Sequence, residues 1–207
     1  FNTCELNFLS KTEINLNKFE SLHPVIILVS TQLAQNIGSV ARAMKNCGLD
    51  DLRVVNPRDG WPNKDADAMA AGAKDLLKKI KVYESLTEAL DGITIVFASS
   101  ARERDFSKQV ISPNEAAKKI INQTKIQNKC ALVFGPENSG LTNEDIAKSN
   151  YIVKIPLNKN FSSLNLSQAV LILSWEWRRI AISEKIINEQ NQITSKLKKL
   201  SERQSLS

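Results

Sequence analysis

The sequence predicts an α/β fold, a parallel β-sheet flanked by helices on both faces, and two observations carry that prediction. Short, β-branched runs that are apolar almost without interruption recur along the chain, as expected of strands buried on both faces. Stretches with helical apolar spacing separate them, which is the alternation that builds a parallel sheet. The strand-like runs are VIILV (25–29), LRVVNP (52–57), KVY (81–83), TIVFAS (94–99), ALVFG (131–135) and YIVKIP (151–156). Helices are predicted between them over 36–47, stopping at Gly48, and over 66–79, 86–90, 113–122 and 144–149. A last helix is predicted from Leu166 to about residue 187. Asn165 with Gln168 reads as its N-cap and capping-box partner, and Ala169, Val170, Leu173, Trp177, Ile180 and Ala181 form its apolar stripe.

The chain has 207 residues, 42% of them hydrophobic, enough for one main domain, expected over 23–187. Residues 1–22 have no basic head followed by an apolar block and are expected to be an N-terminal extension rather than a secretory signal. Residues 188–207 turn to Asn, Gln, Lys and Ser, with Ile193, Leu197 and Leu200 on one stripe. A polar helical tail, the start of a C-terminal extension, is expected there. Apolar stretches are interrupted well short of the roughly 20 residues that a membrane span requires, so no membrane partner is expected.

Cys4, Cys47 and Cys130 are odd in number and form no Cys-x-x-Cys pair, which points to reduced thiols in a cytoplasmic protein. A single histidine, His23, excludes a His-rich metal site and argues against a hydrolytic triad. A formal net charge of +6 fits a polyanionic partner such as RNA, a balance also met in proteins without one.

In open α/β sheets ligands sit beyond the strand ends, so the loops there hold the candidate site. Gly135-Pro136-Glu137-Asn138-Ser139-Gly140-Leu141-Thr142 approaches a P-loop, but Leu141 stands where the phosphate-binding Lys belongs, and a nucleotide triphosphatase is excluded. Gly135 and Gly140 permit close backbone approach to a ligand beside the Glu137 carboxylate; a tight turn would explain the glycines alone. After the first strand there is no Gly-x-Gly turn of a dinucleotide fold. Asn36 is expected to cap the following helix. Arg42 follows among Ile37, Gly38, Val40, Ala41 and Ala43, small residues read as leaving room for a substrate; a solvated helix face is the alternative. Ser99, Ser100 and Ala101 are small enough to admit a ligand, and Arg102 and Arg104 behind them suit phosphate.

Taken together, N-I-G-S-V-A-R (36–42), S-S-A-R (99–102), F-G-P-E-N-S-G-L-T (134–142) and I-P-L (155–157) followed by S-S-L-N-L (162–166) resemble the SpoU family of the SPOUT class. Members are S-adenosylmethionine-dependent RNA ribose 2′-O-methyltransferases. The match runs from about Pro24 to Arg179, and A-R-A-M-K-N (41–46), N-P (56–57) and A-A-G-A-K-D (70–75) look most like the TrmJ-type enzymes within the family. The resemblance implies a C-terminal deep trefoil knot and a cofactor, S-adenosyl-L-methionine, held in its loops. Cofactor contacts carry over to Ser99, Ser100, Ala101, Gly135, Glu137, Gly140, Ile155, Ser162, Ser163, Leu164 and Asn165. Arg42 carries over as the essential catalytic residue, with Asn36 and Ser163 beside it, and Arg42, Arg102 and Arg104 as RNA contacts. It further implies a tRNA substrate, methylated on the pyrimidine ribose at position 32 where the anticodon loop starts. A homodimer is also implied, with Trp175 and Trp177 on different sides of one helix. Ribosomal RNA as substrate, or a catalytically silent RNA-binding module, are the alternatives; retention of Arg42, Asn36, Glu137 and Asn165 speaks against silence.

Overall fold

A computed structural model describes residues 23–101 and 108–204. Its strands are β1 (Val25–Val29), β2 (Leu52–Val55), β3 (Lys81–Tyr83), β4 (Ile95–Ser99), β5 (Val110–Ile111), β6 (Cys130–Phe134) and β7 (Tyr151–Val153). They form one seven-stranded sheet in the order β3-β2-β1-β6-β4-β7-β5, and every pairing is parallel. The central strands β1 and β6 are buried along their whole length, which is why their sequences are apolar without alternation. Successive residues of β1 still divide between two cores: Ile26 and Leu28 face one, Val25, Ile27 and Val29 the other.

Helix α1 (Ala34–Asn46) packs Ile37, Val40, Ala41 and Met44 into the first core, together with Ile120 of α5 (Pro113–Lys125) and Val170, Leu173 and Trp177 of α7 (Leu166–Gln204). The second core is covered by α4 (Leu86–Ala89), through Leu86 and Ala89, and by α6 (Asn143–Ala147), through Ile146. Capping sets where several helices begin. Ser112 and Glu115 form a capping box at α5 with Pro113 at its first turn, and Thr142 and Asp145 form one at α6.

The structure corrects several of the sequence expectations. The helix predicted over 66–79 is interrupted: α2 (Lys64–Ala70) ends at Ala71, whose φ is 46°, and a 3₁₀ turn (Ala71–Ala73) leads into α3 (Lys74–Leu77). Strand β5 has two residues, too few for any periodicity to reveal. The last helix runs unbroken past residue 187 to Gln204, so the helical stretch expected as a separate tail continues it.

Two further corrections concern α1. Asn36 does not cap it; the helix begins at Ala34, Leu33 supplies no side-chain bond, and the Ala34 N–H donates instead to Asp59 Oδ2 at 3.3 Å. A carboxylate at that end also suits the helix dipole. Nor does Gly38 leave room for a substrate. A Cβ there would lie 2.1 Å from the Ala66 carbonyl oxygen, so its missing side chain lets α1 and α2 touch.

Candidate functional site

Because all strands run parallel, their carboxyl ends lie along one edge. From β1 the chain proceeds to β2 on one side, and from β6 to β7 on the other, so the order reverses between the adjacent strands β1 and β6. Such a reversal opens a crevice at the carboxyl edge. Glu137, in the loop after β6, occupies this place. One carboxylate oxygen accepts from the Gln32 backbone N–H at 2.9 Å, the other from Asn36 Nδ2 at 2.5 Å. Asn36, on α1 and 8% exposed, accepts in turn from Asn165 Nδ2 at 3.0 Å.

Three loops far apart in sequence are thereby tied through one buried amide. Leaving either end of that amide unpaired would cost about 1–3 kcal/mol. Asn165 is also the expected cap of α7. Its Oδ1 accepts from the Ser167 N–H at 2.9 Å and from Ser167 Oγ at 2.7 Å, while its own N–H donates to Gln168 Oε1 at 3.1 Å. The opposed demands on one side chain are met because Oδ1 caps the helix and Nδ2 reaches Asn36.

The Gly135–Thr142 loop folds back on itself. A Cβ on Gly135 would lie 2.3 Å from the Leu141 backbone nitrogen, Gly140 has φ 64°, and its N–H donates to the Pro136 carbonyl at 2.8 Å. Close backbone approach is therefore made by the loop's own chain, with Leu141 buried as its anchor. Ser99 ends β4 half-buried, Ser100 follows it with its N–H on the Val153 carbonyl at 3.1 Å, and Ala101 is exposed. Ile155 packs partly buried against the first core, Leu164 is half-buried, and Ser162 and Ser163 are exposed.

Arg42 stands apart from the three-loop network. Six residues are about one and two-thirds turns of helix, so it leaves α1 on a different side from Asn36. It is exposed, and among the described residues it makes no hydrogen bond or ion pair. Arg102 and Arg104 lie outside the described residues. Sequence reasoning missed Gln32, whose part is a backbone N–H, and Asp59, whose partner is on another element; neither leaves a local signal.

Two other features are separate from this edge. A cavity of about 310 Å³ is lined by His23, Leu49, Asp50, Trp177 and Arg178, among others, at the amino end of β1 and β2 and away from all three loops. Cys47 and Cys130 are buried free thiols. Burial pushes the Cys130 thiol up to about 12 and raises Cys47 against the opposing pull of Arg178, so neither is poised as a nucleophile.

Fold and site together place the chain among the open-sheet α/β proteins whose functional crevice is built by loops at the carboxyl edge. It belongs to the SpoU methylase family: the model described as the SpoU rRNA Methylase family matches residues 23–175. The tRNA (cytidine/uridine/adenosine-2′-O-)-methyltransferase TrmJ of Pseudomonas aeruginosa is 42% identical over 153 residues, 74% of this chain and 59% of that protein. The chain thus spans less than two thirds of that relative's length. The crystal structure of TrmJ from Z. mobilis superposes with a TM-score of 0.72 at 44% identity, covering 76% of this chain and 69% of that one. A SpoU methyltransferase, AviRb of Streptomyces viridochromogenes, solved in complex with AdoMet, shares the fold at 20% identity. Its TM-score is 0.59, and the match covers 79% of this chain and 60% of that one.

Proposed function

We propose that the chain is an S-adenosylmethionine-dependent RNA ribose 2′-O-methyltransferase that acts on tRNA in the cytoplasm, at the pyrimidine of position 32. The observation that carries this reading is the Glu137–Asn36–Asn165 network, which joins α1, the loop after β6 and the start of α7, with Arg42 exposed on another side of α1. The named activity of the Pseudomonas aeruginosa relative supports it.

The residues at the edge fit the cofactor. Ser99, Ser100 and Ala101, Gly135 and Gly140, Ile155, and Ser162 to Leu164 offer small hydroxyls, backbone groups and half-buried apolar surface. That set suits a neutral adenosine better than a polyphosphate. When bound, S-adenosylmethionine supplies a methyl group already electrophilic on its sulfonium. The chain must therefore align a ribose hydroxyl and assist loss of its proton. Arg42 orients that hydroxyl and the adjoining phosphate with its planar fork; a guanidinium that stays protonated is a poor base. Ser163, exposed on the segment before α7, is assigned in this reading to the ribose. Glu137 and Asn36 hold Asn165, and with it that segment, in position.

Two structural proposals accompany this reading. The segment between β7 and α7 closes a trefoil knot, supported by the insertion of β6 between β1 and β4 and of β7 between β4 and β5. The protein is a homodimer, supported by exposed apolar side chains on and before α7. Calorimetry tests the cofactor assignment: the protein should bind S-adenosylmethionine or its demethylated product and not ATP. Binding of ATP without the cofactor would reverse the reading.

A further inference from the structure

We propose that the loop between β2 and α2, residues 56–63, is an RNA contact in which the guanidinium of Arg58 holds one backbone phosphate of the substrate. The inference rests on the RNA-methyltransferase reading and extends it to a residue that none of the quoted motifs contains. Because β2 runs parallel to β1, this loop emerges at the same carboxyl edge as the three-loop network.

It is also fastened to that network. The Arg58 N–H donates to the Thr31 carbonyl at 3.1 Å, and the very next residue, Gln32, gives its N–H to Glu137. Asp59 binds the first N–H of α1, Gly60 closes a turn onto the Pro57 carbonyl at 3.1 Å, and Asn63 Nδ2 donates to the Asp59 carbonyl at 3.1 Å. Trp61 packs partly buried against the first core. Every one of these bonds fixes backbone, and what the loop presents to solvent is a side chain.

The Arg58 side chain is 57% exposed, and its bond among the described residues runs from Nε to Asp59 Oδ1 at 3.1 Å. An exposed pair of this kind contributes little to stability. Its effect is orientation: it steadies the stem and leaves the terminal nitrogens for a bidentate anion, the geometry that suits phosphate. The Asp59 carboxylate is meanwhile occupied at its other oxygen by Ala34. Lys64, exposed at the start of α2, adds a second cation to the same stretch. Of the neighbouring acids, Asp65 accepts from Gln35 Nε2 at 2.9 Å, and Asp67 remains exposed.

Position decides which part of the RNA it meets. In the order β2-β1-β6-β4, the end of β2, from which the Arg58 loop departs, lies three strand spacings, about 14 Å, from the end of β4, which bears the proposed cofactor residues Ser99 and Ser100. Arg58 therefore engages a phosphate flanking the target nucleotide on the β2 side, away from the methyl donor.

Fluorescence anisotropy with a tRNA transcript over a salt series tests this. Arg58→Ala should weaken binding several-fold and reduce the slope of log K against log salt by about 0.7–0.9, the share of one phosphate contact. Arg58→Lys, which keeps the charge, should restore most of the slope. Thermal melting and S-adenosylmethionine affinity of both variants should match the wild type, since an exposed side chain is altered. An Arg58→Ala protein with wild-type affinity and slope would overturn the inference and leave the methyltransferase reading standing. Failure of the wild type to bind tRNA would overturn both.

Discussion

On α1, Asn36 is buried and bonded at both ends of its amide, to Glu137 and to Asn165, while Arg42 six residues later is exposed with no bond among the described residues. Substitution should separate the two. Arg42→Ala removes no bond formed among the described residues, so its melting temperature and S-adenosylmethionine affinity should stay near wild type while single-turnover methyl transfer falls by orders of magnitude. Arg42→Lys should not restore transfer, because a point charge lacks the planar fork that orients phosphate and hydroxyl together. Asn36→Ala should instead lower stability by about 1–3 kcal/mol in denaturant unfolding, since Glu137 and Asn165 each lose a partner in a part-buried setting. Near-normal transfer by Arg42→Ala at saturating RNA would remove it from the catalytic assignment.

Helix packing next to the site is governed by the contact between Gly38 of α1 and Ala66 of α2. Alanine is the better helix former by about 1 kcal/mol, yet a Cβ at position 38 meets a backbone oxygen, which cannot rotate away. Gly38→Ala should therefore destabilise the protein by about 1–3 kcal/mol. Gly72, with open space where a Cβ would go, provides the control, and Gly72→Ala should be neutral in the same unfolding measurement. Equal stability of the two variants would show that the helices separate without cost.

The same helices mark what was readable from sequence. The Asn165 cap was legible because Gln168 lies three residues away and the apolar stripe begins at once. The other duty of Asn165 was not, since its partner is 129 residues distant. Asn36 has the composition of a helix cap, and only the fold reveals that Asp59 has taken that end of α1. Gly38 offers apparent space for a ligand because sequence does not say which helix will arrive there.

At the level of the whole molecule, the sheet, its order of helices and the edge that bears the site follow from runs of apolar residues that the chain displays openly. Whether a partner covers the outer face of α7 does not. Trp177 lies in the first core, whereas Trp175 is 54% exposed with Leu171 one turn before it, and Phe161 in the preceding segment is 76% exposed. An exposed tryptophan beside an exposed leucine on one helix is characteristic of protein interfaces. Sedimentation at micromolar concentration should find a dimer for the wild type, and Trp175→Glu should shift it toward monomer. A wild-type protein that sediments only as monomer would refute the dimer.

The proposal that these strand-end loops serve ribose methylation of tRNA is tested most directly by mapping the product. The protein, S-adenosylmethionine with a labelled methyl group, and separate tRNA and ribosomal RNA transcripts would be incubated, and the labelled nucleoside located in each. Label on the 2′ oxygen of the pyrimidine at position 32 of tRNA is the expected result. Label confined to ribosomal RNA, label on a base, or no transfer by wild-type protein that binds the cofactor would contradict it.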